Sequence, residues 1–386
     1  MSKKRPDKNP TLEAYDPGEN ATFQIPHMQK TSNEILHKTN VFYGLSGNGK
    51  STLNIELMTW MKQDTPLVIV FSNSEESNEI YSKVVPPYLI FTELKREKLQ
   101  HIWDRQQMAS KIWKQCQNIQ VLASLFQRFA SSHDKDEVKA CEQAKSEVAK
   151  KLKAIYEADP SKKSEISIQI EKLESKHGEM LRARYKEIIR RERRNIIKNA
   201  ASDTEREIAT YLDFNPNLLL IIDDFSAELK SIMSDKRAND KNPIVHNMFY
   251  KGRHCKVTAF LNFQSDKDLL TELRMNAHNS FFCSSQSANS FFNKGNSTGF
   301  SNEQKKKATN AAKAVFTPKP GDDRTQYRKL VYLRMSNPQF QYVIADFHHG
   351  FRMGSQSLWD YAEKLSKYAE KNIMNTNNEF AKMFKI

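Results

Sequence analysis

Glycine is scarce in this chain. There are 11 in 386 residues, far below the roughly 7% of an average protein. Cysteine is scarcer still. Cys116, Cys141, Cys255 and Cys283 stand apart, and none belongs to a C-x-x-C pair. That spacing indicates neither a structural zinc site nor a disulfide framework, and it suits a reducing compartment. No run of about 18 apolar residues occurs, so no transmembrane helix is expected. The start, Met1-Ser2-Lys3-Lys4-Arg5-Pro6-Asp7-Lys8, is basic and lacks the apolar core of a signal peptide. It reads as a disordered arm.

Three of these 11 glycines fall within eight consecutive positions. Gly44, Gly47 and Gly49 lie within Gly44-Leu45-Ser46-Gly47-Asn48-Gly49-Lys50-Ser51, which fits the phosphate-loop pattern G-x-x-x-x-G-K-[ST]. Glycine permits positive φ and removes the Cβ that would keep phosphates away from the backbone. The flanks fit as well. Asn40-Val41-Phe42-Tyr43 reads as a buried strand. The segment from Ser51 to Trp60 reads as a helix with Leu53, Leu57 and Trp60 on one side, and a helix N-terminus aimed at phosphate is a ready anion site. In this reading Lys50 reaches the β- and γ-phosphates of ATP. Ser51 offers its hydroxyl to Mg²⁺, and Thr52 with the loop amides holds the α- and β-phosphates. The bland alternative is a chance match in a glycine turn.

The chain divides into five stretches. Residues 1–38 read as an N-terminal arm or irregular lead-in. Residues 39–92 read as the first part of an α/β core, with strands at 66–71 and 88–91. Between 93 and 210 glycine nearly vanishes, charged residues and glutamines dominate, and helical periodicity takes over. Val148, Leu152 and Ile155 form one stripe. Ile166, Ile170, Leu173, His177 and Met180 form another with 4-3-4-3 spacing, and Ala158-Asp159-Pro160-Ser161 sits between them as a turn. This predicts a long antiparallel, coiled-coil-like helical hairpin inserted into the core. Residues 211–350 return to α/β character and end in a β-hairpin around Ser336-Asn337-Pro338-Gln339. The Asn-, Ser-, Lys- and Gly-rich stretch 289–323 reads as a mobile loop beside the site, and 351–386 as a C-terminal helix.

Hydrolysis needs more than a loop: a magnesium, a positioned water and charge stabilisation. Leu218-Leu219-Leu220-Ile221-Ile222 followed by Asp223-Asp224 has the form of a Walker B strand, which delivers acids to the carboxyl edge of a sheet where ligands bind. Asp223 is the candidate Mg²⁺ holder, and Asp224 the candidate base that orients and deprotonates the attacking water. The alternative is an acidic turn closing a core strand. Gln264 ends the next strand, the place of a γ-phosphate sensor in P-loop ATPases that carry an extra strand between the loop strand and the Walker B strand. Arginine fingers often come from a neighbouring subunit. Arg253 and Arg274 are the candidates, and the sequence does not rank them.

The series Gly44–Ser51, then Ser72-Asn73-Ser74 beyond a strand, Leu218–Asp224, Gly252-Arg253-His254 before the strand ending in Gln264, and Arg274-Met275-Asn276 resembles the poxvirus-type DNA-packaging ATPases of large DNA viruses, within the FtsK–HerA superfamily. The resemblance covers residues 39–92 and about 215–290. It implies an ASCE-type α/β P-loop NTPase fold with a mainly parallel sheet flanked by helices. It further implies Mg²⁺-dependent ATP hydrolysis in a homo-oligomeric ring, pentamer or hexamer, and translocation of double-stranded DNA into a preformed capsid. A capsid or membrane protein at the packaging vertex would be a partner, and the virion or the host cytoplasm the location. One departure is Asp224, where many cellular members place a glutamate. A cellular FtsK–HerA-like translocase or helicase, a P-loop small-molecule kinase with a helical lid, and a nucleotide-stabilised scaffold are the competing readings. The first often carries an N-terminal β-barrel, for which the short lead-in leaves no room.

The formal net charge is +14 with a sequence pI near 9.4, which favours a polyanionic partner, most simply nucleic acid; solubility is the plain alternative. The basic run holds Arg182, Arg184, Lys186, Arg190, Arg191, Arg193, Arg194 and Lys198. It is either a nucleic-acid contact or a solvated helix face.

Overall fold

The computed structural model describes residues 11–158, 162–234, 244–294, 299–318, 323–346, 348 and 350–369. The basic start at residues 1–10, most of the turn expected at 158–161 and the chain beyond 369 lie outside the described residues. Two compact units form: residues 1–106 with 216–386, and residues 107–215.

The strands are β1 (Leu12–Asp16), β2 (Ala21–Ile25), β3 (Thr39–Tyr43), β4 (Leu67–Ser72), β5 (Ile90–Phe91), β6 (Leu218–Asp223), β7 (Val257–Phe263), β8 (Asn279–Phe282), β9 (Arg328–Leu333) and β10 (Phe340–Ile344). The helices begin with α1 (Lys50–Met61), α2 (Glu75–Asn78), α3 (Arg96–Gln117), α4 (Ile119–Phe129), α5 (Ser132–Ala158), α6 (Lys163–Arg191), α7 (Arg193–Asn199) and α8 (Asp203–Tyr211). They continue with α9 (Ser226–Ser234), α10 (Ile244–Lys251), α11 (Thr271–Asn276), α12 (Ser285–Asn293) and α13 (Asn302–Phe316).

The first unit is built on an eight-stranded sheet in the order β10-β9-β8-β3-β7-β6-β4-β5. From β8 to β5 every neighbouring pair is parallel, and β9 is antiparallel to both β8 and β10. Strand β7 therefore lies between the loop strand β3 and the acid-bearing strand β6. The fold is an α/β P-loop arrangement with an extra strand at that position. Strands β3, β6 and β7 are buried along their whole length, as continuous apolar runs in a parallel sheet must be. On one face Phe42, Val70, Leu219, Ile221, Phe260 and Val331 meet Leu53, Leu57, Met58 and Met61 of α1. On the other, Tyr43, Phe71, Leu220, Ile222 and Phe263 pack with residues of α9 to α13. Each such fully buried side chain contributes about 1.5–3 kcal/mol, which fixes the edge of the sheet where the polar ends emerge.

Two expectations for this unit change. The lead-in is not irregular: β1 and β2 pair as an antiparallel hairpin, with Leu12, Ala14 and Asp16 turned inward and the residues between them exposed. The period-2 pattern of Leu12 and Ala14 carries that strand. The stretch 289–323 is not a single loop either. Among its described residues it contains the end of α12 and the whole of α13, which opens with a reciprocal cap between Ser301 and Gln304. Ala308, Ala311, Ala312 and Val315 of α13 are buried at the spacing of one helix face.

The second unit is helical. Its core gathers Leu122, Leu125 and Phe126 of α4, Val138 of α5, Leu181, Tyr185, Ile188 and Ile189 of α6, Ile196 of α7 and Ile208 of α8. Helices α5 and α6 run antiparallel, since Asp134 at the start of α5 meets Arg191 at the end of α6. Along their far part the expected coiled-coil seam is only partial: Ile166 is buried and Leu152, Ile170, Leu173 and His177 are half-buried, but other members of the stripes are open. Val148 and Ile155 are 44% and 46% exposed, and Met180 is 45% exposed. A helix stripe is buried only where another element covers it, and α4 covers the Leu181–Ile189 part of α6. No helix among the described residues is long and apolar enough to cross a membrane.

Candidate nucleotide-binding site

Strand β3 ends at Tyr43 and the chain turns into the glycine loop. Gly44 must be glycine, because a Cβ there would lie 2.9 Å from the Cβ of Cys283. Gly49 has φ +79°, a left-handed backbone that side chains resist, and it is the last residue before α1. The loop thus wraps the N-terminus of a twelve-residue helix, whose first amides lack intrahelical partners. The Lys50 ammonium donates to the carbonyl oxygens of Gly44 at 2.7 Å and Leu45 at 3.2 Å, so it arches back across the loop.

Strand β6 brings Asp223 to the same edge. Its Oδ2 accepts a hydrogen bond of 2.8 Å from the Ser51 hydroxyl, so the first hydroxyl of α1 and the first acid after the apolar run meet, 172 positions apart in sequence. The same oxygen accepts 2.7 Å from the phenol of Tyr81, which in turn accepts 2.9 Å from the amide of Asn54 in α1. Burial, with the Asp223 charge beside it, pushes the Tyr81 phenol well above its ordinary pKa, so Tyr81 stays a donor. The loop carrying Tyr81 is itself braced: the Glu75 carboxylate accepts the backbone N–H groups of Tyr81 and Ser82.

Asp224 follows in a left-handed backbone, φ +62°, a region sparsely populated by non-glycine residues and concentrated at functional sites. Gln264, at the end of β7, donates 3.1 Å to Asp224 Oδ1. A cavity of about 350 Å³ opens among these groups. It is lined by Ser46, Gly47, Gly49, Lys50, Ser51, Thr52, Ser74, Asn78, Ile80, Asp223, Asp224 and Gln264.

Loop, acids and glutamine, read from separate segments, therefore converge. Leu45 and Asn48 belong to the loop without lining this cavity; Leu45 is exposed and Asn48 packs against Gly44. The sequence reading missed Tyr81, Asn54 and Glu75. The only signal was Ser72-Asn73-Ser74, to which no role attached.

The arginines fall elsewhere. Arg274 is buried, with its guanidinium on Asp266 at 2.9 Å and on the Thr271 hydroxyl at 2.9 Å. Asp266 also takes Lys294 and Ser290. This is a brace for the turn after Gln264, and a guanidinium so enclosed is in no position to reach a neighbouring subunit. Arg253 is exposed just before β7, whereas Gln264 follows β7. The two are a strand length apart, roughly 20 Å at about 3.3 Å per residue. Arg253 cannot serve the site of its own chain.

Four arginines of the basic run are occupied within the helical unit. Arg184 binds Asp134, Glu137 and Glu187. Arg191 binds Asp134 and Glu192, and Arg190 and Arg193 share Asp213. Arg182 is half-buried, while Arg194 and Lys198 are exposed. For the paired arginines the helix-face reading fits better than an open nucleic-acid surface, since each guanidinium already has a carboxylate.

No family model matches the chain. An uncharacterized protein of African swine fever virus, B354L, is 27% identical over 378 residues in the Warthog/Namibia isolate, covering 94% of this chain and 97% of that protein. The form in the Badajoz strain is equally similar. Among solved structures, the genome packaging NTPase B204 from Sulfolobus turreted icosahedral virus 2, in complex with sulfate, is 13% identical, covers 81% of this chain and 98% of that one, and superposes with a TM-score of 0.35. The pCW3 conjugation coupling protein TcpA with ATPγS is 12% identical, covers 88% and 67%, and has a TM-score of 0.32.

Proposed function

We propose that this protein is a Mg²⁺-dependent ATPase that drives double-stranded DNA, and that its task is to package a viral genome. The observation that carries the nucleotide chemistry is the pair of contacts across the sheet edge: Ser51 to Asp223 and Gln264 to Asp224, on strands whose order places β7 between β3 and β6. The donor set suits a hard cation, which takes oxygen ligands. The Ser51 hydroxyl and the Asp223 carboxylate would hold Mg²⁺, directly or through water. Bound there, the ion supplies charge neutralisation for the phosphates.

The chain's own residues do the rest. The amides from Gly47 to Thr52 cradle phosphate oxygens, and Lys50 can swing from its two carbonyls onto the β- and γ-phosphates. Asp224 accepts the proton of the attacking water. Gln264 holds that carboxylate in place and reports on the γ-phosphate. Tyr81 keeps Asp223 aimed at Ser51. Arg253, on the opposite edge from its own site, completes the site of an adjacent subunit in a ring.

DNA as the driven partner rests on the +14 charge and on the motif series. The viral setting accords with relatives that are themselves viral proteins. The test is ATP turnover by size-fractionated protein with and without duplex DNA. Turnover should be stimulated by DNA in the assembled fraction. Lys50→Ala should abolish it, a loss on the order of 10²–10³-fold or more, without changing the thermal melt. An assembled ring whose turnover is indifferent to DNA would sink the translocase, and phosphate transfer to a nucleoside would replace it with a kinase.

A further inference from the structure

Lys329 sits on β9, one residue beyond the pairing of Phe282 with Leu330. It lies on the same face as Val331, the face covered by α1. Its side chain runs behind the glycine loop: a Cβ placed on Gly49 would lie 3.6 Å from the Lys329 Nζ and 3.7 Å from its Cε. The residue is only 5% exposed. Its ammonium makes no ion pair or side-chain hydrogen bond among the described residues. The group it senses is the Cys283 thiol, itself pushed up to about 11 by burial and so uncharged at neutral pH.

This placement is electrostatically adverse as it stands. A buried ammonium without a counter-ion is expensive. The N-terminus of α1, at Lys50, carries the positive end of a helix dipole. Lys50, on the carbonyls of Gly44 and Leu45, adds a second positive charge to the same loop. Two lysines and a helix N-terminus thus converge on Gly49, and burial holds the Lys329 pKa below its ordinary value. Such a cluster is compensated by an anion seated on the loop.

We propose that Lys329 is a second phosphate-binding lysine of this site, acting from behind the loop as counter-charge to the nucleotide phosphates. The inference rests on the nucleotide reading above and adds a residue to it. Lys329→Met keeps most of the unbranched length and removes the charge. Two measurements with MgATP as the probe then separate the possibilities: Kd by calorimetry, and the thermal melt with and without nucleotide. Affinity should fall at least about tenfold, the scale of one partly buried charge contact. The nucleotide-free melt should stay level or rise, because an unpaired buried charge has gone. As a control for packing, Val331→Ala on the same strand face should lower the melt and leave the affinity alone. Unchanged affinity in Lys329→Met overturns the proposal, as does a lowered nucleotide-free melt with affinity intact, the signature of a lysine that only props the loop. If the unaltered protein binds no MgATP, the nucleotide reading fails with it; if it binds and Lys329→Met binds equally, this inference alone fails.

Discussion

In the helical unit Arg184, Arg190, Arg191 and Arg193 each end on carboxylates of that same unit. Around the glycine loop the opposite holds. Lys50 ends on two backbone carbonyls, and Lys329 is buried without an ionised partner among the described residues. Both regions are rich in cations, yet these four arginines are spent internally and the two loop lysines have no carboxylate among the described residues. Net charge therefore says little about where a polyanion binds. A cation already paired contributes stability to its own fold, while a cation buried and unpaired is held for something that arrives. The two units should accordingly fail in different ways: damage to the helical unit should appear in the melt, and damage at the loop edge in turnover.

The largest effect is expected from Ile188→Ala. Ile188 is 1% exposed in the helical core, and truncating such a side chain costs about 2–5 kcal/mol through lost burial and the cavity left behind. Chemical denaturation of the full chain should show that loss, while turnover per folded molecule at 25 °C stays unchanged. A drop in turnover as large as the drop in stability would break the division between the two units.

Tyr81→Phe should do the reverse. The ring stays in its buried place and one donor to Asp223 disappears. A hydrogen bond to a charged group is worth about 1.5–3 kcal/mol, so turnover should fall roughly 10- to 100-fold and half-maximal rate should need more Mg²⁺. The melt should move little. If the Mg²⁺ requirement does not shift, Tyr81 is packing and not a positioning residue.

The two regions also differ in how legible they were. Gly44–Ser51, Leu218–Asp224 and Gln264 were readable because phosphate cradles need glycine and parallel strands need unbroken apolar runs, both local demands. Strand β5 at Ile90–Phe91 and the strand pair around residues 336–339 followed from the same patterns. Lys329 was not readable: in Arg328-Lys329-Leu330-Val331 it is an ordinary strand lysine until β9 is laid beside β8 and the loop. Tyr81 and Asn54 likewise acquire meaning only when α1 and the chain after α2 converge on Asp223. The stripe of Val148, Leu152 and Ile155 shows the converse. Periodicity marks a face, but burial needs a covering element: α4 covers Leu181–Ile189 of α6, while Val148 and Ile155 stay exposed. Arg274 looked like a finger from its neighbours Met275 and Asn276, and proved to be a brace because Asp266 lies across from it.

The smallest effect, and the sharpest on the pairing of charge, is expected from Asp134→Asn. Asp134 takes Arg191 and the Ser131 hydroxyl, which hold its carboxyl well below the ordinary range, and Arg184 reaches it as well. A depressed folded pKa contributes stability that is present above the unfolded value, about 3.9, and is lost as pH falls through the folded value. The substituted protein should therefore melt a little earlier than the parent at pH 7, and the gap should close progressively below about pH 4. The substitution also releases Arg191 and loosens Arg184. If these arginines serve only the fold, the DNA concentration for half-maximal stimulation and its salt dependence should not change. If they are a DNA surface held in check by Asp134, freeing them should tighten DNA binding and steepen the salt slope by about one unit for each further phosphate neutralised. Tighter binding would overturn the assignment of these arginines to the fold, and with it the contrast between arginines that are paired and loop lysines that are not.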